Sequence, residues 1–204
     1  MKDSWFFDGN EAGLPVCYNA VLDDYAASNV IVVFAHDDVT IGDVFLREKL
    51  ADAFEKQDYA ITGLAGSSHF NTSPDDPLTK WCQPPDGAWS GAVEHDLPGG
   101  LKYMTSYGPT PRRCVVLDGL FLAVDTKQIG SLRFDEQFAF DFYDVDFCLR
   151  AHCAGLVLGT VGIYVNHRSA GIDSASYHQA QQRFRAKWGK QQYEVGSAAP
   201  VLRA

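Results

Sequence analysis

The stretch Phe134 to Ser169, FDEQFAFDFYDVDFCLRAHCAGLVLGTVGIYVNHRS, constrains the fold more than any other part of the chain. It sets Asp141, Asp144 and Asp146 among Phe138, Phe140, Phe142, Tyr143 and Phe147. Carboxylates in apolar company are costly unless they are paired or serve a site. From Tyr143 onward, Val145, Cys148, Leu149 and His152 recur at helical spacing, and Gly155 is placed to end the helix in a left-handed cap. Asp144 then lies at or near the helix start, where it serves either as a cap favoured by the helix dipole or as part of a site. Asp146 is expected to pair with Arg150 one turn on.

The segments before this stretch read as an α/β chain. Tyr18, Val21, Leu22 and Tyr25 have helical spacing, and Asn29 breaks it. Val30 to Ala35, VIVVFA, is the continuous apolar run expected of a strand covered on both faces. His36-Asp37-Asp38 follows at once. Ligands collect outside the carboxyl ends of strands in open α/β sheets, so this acid pair is a candidate cation site. The alternative is that Asp37, Asp38 or Thr40 caps the next helix, whose stripe is Ile41, Leu46, Leu50 and Phe54.

Tyr59 to Leu64 reads as a second strand, and periodicity is then lost from residue 65 to residue 113. That interval is rich in proline and glycine and holds Trp81 and Trp89. It reads as a long binding loop in which either indole stacks on a sugar face or anchors the loop to the core. His69 and His95 read as loop-surface residues. Cys114 to Val124 is strand-like but interrupted by Asp118-Gly119, either a bulge approached by a ligand or another backbone, or a solvent-side turn. Thr126 to Gly130 reads as a short helix. Leu156 to Val165 supplies further strand, His167 leaves its end, and Tyr177, Ala180, Gln181, Phe184 and Trp188 define an amphipathic C-terminal helix. Residues 190–204 read as a tail.

Composition narrows the classes. The 17 basic against 26 acidic residues leave a formal charge of -9, which disfavours extended contact with nucleic acid or an anionic membrane surface. The cysteines Cys17, Cys82, Cys114, Cys148 and Cys153 include no CxxC pair, so reduced thiols and a cytoplasmic location are expected. No window approaches the roughly 18 apolar residues of a membrane span. One domain over residues 1–204 is expected.

VIVVFAHDDVTI, VVLDGLFLAVDT, FDEQFAFDFYDVDFCLRAHCAGL and IYVNHRS, in that order, resemble a family 2 type glycosyltransferase of the GT-A fold, especially its small bacterial members. The likeness runs from about Tyr18 to Trp188. It implies a Rossmann-like, mixed but mostly parallel sheet flanked by helices. It also implies an inverting transfer from a nucleotide-diphosphate sugar to an acceptor hydroxyl of a glycan, protein or other compound. By resemblance, Asp37 and Asp38 stand at the DxD-type motif, Asp38 and His167 hold Mn²⁺ or Mg²⁺, and Asp144 is the general base. Asp118 and Gly119 contact the donor or acceptor, and Trp81, Trp89 and Tyr143 lie on the substrate side.

The chain departs from the pattern in two places. His36 stands where an acid is common, and the first strand with its base-binding aspartate has no clear counterpart. A second copy or a partner chain completing that half of the nucleotide site is therefore an expectation. So are two other functions: a catalytically silent binding module, and nucleotidyl transfer with Asp37, Asp38 and Asp144 all on metal.

Overall fold

The computed structural model describes residues 4–71, 86–168, 175–189 and 191–196. From the N-terminus the elements are α1 (Leu14–Asp24), β1 (Ile31–Ala35), β2 (Val39–Ile41), α2 (Leu46–Glu55), β3 (Ile61–Gly63), β4 (Ala65–Ser67) and β5 (His69–Asn71). There follow β6 (Trp89–Asp96), β7 (Lys102–Gly108), β8 (Arg112–Cys114), β9 (Val116–Leu117), β10 (Phe121–Asp125) and α3 (Thr126–Ile129). The chain continues with α4 (Tyr143–Cys153), β11 (Leu158–Thr160), β12 (Val165–His167), α5 (Ala175–Trp188) and β13 (Gln192–Glu194).

Two sheets carry the architecture. The first has the order β1-β10-β3-β11-β8 and the second β2-β12-β6-β4-β9, with β7 paired to β6. Among the described strands only β3 with β11 and β6 with β12 run parallel. The expectation of a mostly parallel sheet is thereby corrected to a mixed, mainly antiparallel one. In the first sheet β10 enters between β1 and β3 in the opposite direction to both, and in the second β4 runs antiparallel to both its neighbours. β10 is buried on both faces: Leu122 and Val124 join the core beneath α1, α4 and α5, while Phe121 and Ala123 join the core beneath α2. This double burial explains its unbroken apolar sequence.

The interval 65–113 is a second correction. Its described residues form β4 to β8, with β6 and β7 making a long antiparallel hairpin. The buried positions of β6 are Ser90, Gly91 and Val93, and its pairing with β7 shifts register between Gly91 and Ala92, so apolar alternation leaves little trace in the sequence. The tail expectation is corrected in part, because β13 pairs with β5. Ile41, placed by spacing on the helical stripe, belongs to β2, and α2 starts only after Phe45.

Helix α4 follows its sequence closely. Leu156 N–H donates to Ala151 O and Gly155 N–H to His152 O, while Gly155 has φ +80°, the two bonds and the left-handed residue of a Schellman cap. Asp146, fully buried, accepts from Arg150 Nε at 2.8 Å and from Trp188 Nε1 at 2.9 Å, which ties α5 to α4.

Candidate functional site

Strand β1 delivers His36, Asp37 and Asp38 at its carboxyl end. None of these, nor Thr40, caps α2, since β2 intervenes. β2 pairs antiparallel with β12 so that Val39 faces His167, and Arg168 N–H donates to Asp38 O at 3.1 Å. This register brings residues from the two ends of the sequence together. His167 Nε2 lies 3.3 Å from Asp38 Oδ2, and one ligand atom each from His36, Asp38 and His167 falls within 4.8 Å of the others. All are partly buried.

The donor set fits a divalent cation. Metal–ligand bonds of about 2.1 Å place donors on one ion no more than about 4.2 Å apart, a small closure from the observed spread. Asp38 Oδ1 is buried with no hydrogen-bond partner among the described residues, an acceptor suited to a bound ion or water. The cluster opens into a cleft of about 1320 Å³ that runs along β1 between α1 and α2, lined among others by Trp5, Val33, His36, Asp38, Leu50 and Phe140. Phe140, 61% exposed, stacks over His36 with 5.9 Å between centroids.

A hydrogen-bond chain leads inward from His36. Its Nε2 lies 2.9 Å from the Tyr143 hydroxyl, which donates to Gly119 O at 2.9 Å. Gly119 N–H donates to Asp144 Oδ2 at 2.7 Å, and Val145 N–H donates to Asp144 Oδ1 at 2.9 Å. Burial first, then the neighbouring Tyr18, Asp144 and Asp118, push the Tyr143 hydroxyl well above the ordinary tyrosine value, so it keeps its proton. Asp144 in α4 is 0% exposed, whereas Asp118, beside Gly119 in the turn that Asp144 holds, is partly exposed. The turn is glycine by necessity: a Cβ on Gly119 would lie 2.3 Å from the Tyr143 hydroxyl and 2.8 Å from Asp144 Cβ. What approaches Asp118-Gly119 is therefore the pair of side chains Tyr143 and Asp144 from α4.

The structure thus brings together Asp37, Asp38, Asp118, Gly119, Tyr143, Asp144 and His167. It does not bring Trp89, which packs on Tyr107 at the far end of β6, about 20 Å along the strand from His95. Trp81 lies outside the described residues. His95 is no loop residue; its ring stands 5.6 Å from that of His167 on the neighbouring strand. His36, Arg168 and Phe140 are additions to the expected set. A histidine directly after the β1 run, matched by one at the end of β12, was the available signal for His36.

An α/β protein whose first strand ends in a histidine and two acids, facing a histidine from a late strand, gathers these groups where open α/β sheets collect ligands. The model of a glycosyltransferase-like family matches residues 10–188, and the chain belongs to that family. No curated protein matches it.

Proposed function

We propose that the chain transfers a sugar from a nucleotide-diphosphate donor to an acceptor hydroxyl, with a divalent cation and with inversion at the anomeric carbon. The observation that carries this reading is the meeting of His36, Asp38 and His167 at the mouth of the cleft, one hydrogen-bond chain from the Asp118-Gly119 turn. Family membership supports the transferase class.

Asp38, His36 and His167 hold the cation. When bound, a divalent cation neutralises the charge that grows on a leaving diphosphate. Arg168 secures the Asp37-Asp38 turn by donating to the carbonyls of both, and it adds positive charge there. Phe140 offers an apolar face for a sugar ring. The acceptor oxygen bonds to the anomeric carbon as the bond from that carbon to the diphosphate oxygen breaks, and the acceptor proton passes to a carboxylate. The resemblance assigns that proton to Asp144. Its complete burial and its two backbone bonds instead favour a holding role, with partly exposed Asp118 as the acid that meets the acceptor.

Calorimetry with Mn²⁺ and UDP, GDP or dTDP, followed by assay of donor hydrolysis, tests the reading. Asp38→Asn should abolish diphosphate binding. Asp118→Asn should keep binding and lower turnover by at least about 100-fold. If Asp118→Asn turns over normally while a folded Asp144→Asn does not, the base is Asp144. Failure of every diphosphate to bind would leave a silent binding module.

A further inference from the structure

We infer that His95 and Tyr103 form the acceptor subsite of the transferase and that this subsite takes a neutral saccharide. The inference rests on the proposed function and deepens it by naming the acceptor class, but saccharide binding at this place is measurable whether or not transfer occurs.

Register is the first reason. Val39 in β2, His167 in β12, His95 in β6 and Tyr103 in β7 stand opposite one another, strand by strand, so their side chains share one face of the second sheet. Ring follows ring along this line. The His36 and His167 centroids are 6.4 Å apart, those of His167 and His95 5.6 Å, and those of His95 and Tyr103 5.3 Å. Tyr103 thus lies two strand spacings, about 10 Å, beyond His167. The large cleft is on the other side: His36, Asp38 and Phe140 line it, whereas His95 and Tyr103 do not. In a single displacement the acceptor attacks the anomeric carbon opposite the departing diphosphate. A donor laid in the cleft, with its diphosphate at the strand end, therefore leaves the His95–Tyr103 side to the acceptor.

The chemistry of the two side chains is the second. Tyr103 is 44% exposed, with one face stacked on His95, and an aromatic face rimmed by a hydroxyl suits the C–H face and hydroxyl edge of a pyranose. The His95 ring is partly exposed and its Nδ1 is buried with no hydrogen-bond partner among the described residues, which leaves Nε2 as the nitrogen for a ligand. A sugar hydroxyl both donates and accepts, so it bonds that nitrogen in either tautomer. Charge decides against an anionic acceptor. At this end of the β6–β7 hairpin two acids surround one base, Lys102 lying 3.1 Å from Glu94 and 4.0 Å from Asp96. An acidic hairpin end on a chain of formal charge -9 repels phosphorylated acceptors and nucleic acid.

The test screens the labelled full chain, with Mn²⁺ and UDP, GDP or dTDP, on an array of neutral and anionic glycans, beside a serine- and threonine-rich peptide and a single-stranded DNA oligonucleotide. Calorimetry on the tightest ligand follows. A neutral glycan is expected to bind. Tyr103→Ala should weaken it by at least about tenfold and His95→Ala by about three- to tenfold, with far-UV spectra unchanged. Trp89→Ala, which removes the indole at the far end of β6, should bind as the parent does. Binding of anionic glycans, peptide or DNA alone, binding of none of these, parental affinity in Tyr103→Ala or His95→Ala, or a loss in Trp89→Ala as large as that in Tyr103→Ala would each overturn the inference. Diphosphate binding without saccharide binding would sink the inference and leave the proposed transfer standing. Saccharide binding at Tyr103 with no diphosphate bound would sink the transfer and leave a saccharide site.

Discussion

Tyr143 occupies the position on which the site turns. Its hydroxyl links His36 to the Gly119 carbonyl, and its ring and hydroxyl fill the space that a side chain at residue 119 would need. Tyr143→Phe keeps the ring and removes the link. Stability should fall by about 1–2 kcal/mol, the usual consequence of leaving a buried carbonyl without its donor. Mn²⁺-dependent diphosphate binding should weaken about tenfold as the His36 ring loses its anchor. Thermal melting and calorimetry on the same preparation separate the two effects. Gly119→Ala forces the same region apart by overpacking and should cost about 1–3 kcal/mol, read from urea denaturation.

Among the elements, the docking of α5 on α4 depends on one buried acid. Asp146 receives Arg150, Trp188 Nε1 and, at 2.6 Å, Lys187 Nζ, which also reaches Asp135 at 2.6 Å. Removing the acid leaves the buried Trp188 indole N–H without its acceptor and takes a shared partner from Arg150 and Lys187, each about a quarter exposed. Asp146→Ala should therefore lose about 1–3 kcal/mol and shift the urea midpoint accordingly. Burial pushes the Asp135 carboxyl up, but the Lys187 ammonium and Gln137 outweigh it and hold the group below its usual 3.8. A folded value below the unfolded one stabilises fully above the unfolded value, and the effect is lost as pH falls through the folded one. Melting temperature between about pH 5 and about pH 2 should thus decline less steeply in Asp135→Asn than in the parent.

At the scale of the whole molecule, β10 joins the two hydrophobic cores. Leu122 and Phe121 are neighbours in sequence yet serve opposite faces, each 0% exposed. Leu122→Ala should cost about 2–5 kcal/mol and Phe121→Ala about 3–5 kcal/mol, each with its own cavity. Both should lower one shared thermal transition followed by far-UV circular dichroism; separate transitions would show that the cores melt independently. β1 heads the described order of its sheet, with Val30 and His36 bonded toward β10, so backbone alternation turns the groups of Ile31, Val33 and Ala35 to the open edge. That edge lies along the cleft. No helix among the described residues is long and apolar enough to cross a membrane.

Local patterns were enough to place β1, the Thr126 helix, α4 with its glycine cap, α5 and the Asp146–Arg150 pair, but the expectation that β1 is covered on both faces is corrected, because Ile31 and Val33 face the cleft and are exposed. Each is written in spacings of a few residues and in side chains whose preferences act on their own backbone. The sequence also nominated Asp38 and His167, because strand ends announce themselves by the abrupt change from apolar to charged residues. It did not disclose β6, whose buried positions are Ser90, Gly91 and Val93, or β7, none of whose residues is buried, or the antiparallel insertion of β10, since strand direction is set by partners distant in the chain. Only the tertiary structure decided that His36 joins Asp38 and His167, that Asp144 is sealed while Asp118 is not, and that Trp89 stands apart. Those outcomes depend on sheet register and on what packs over each carboxylate, and both arise from contacts between segments that no local periodicity records.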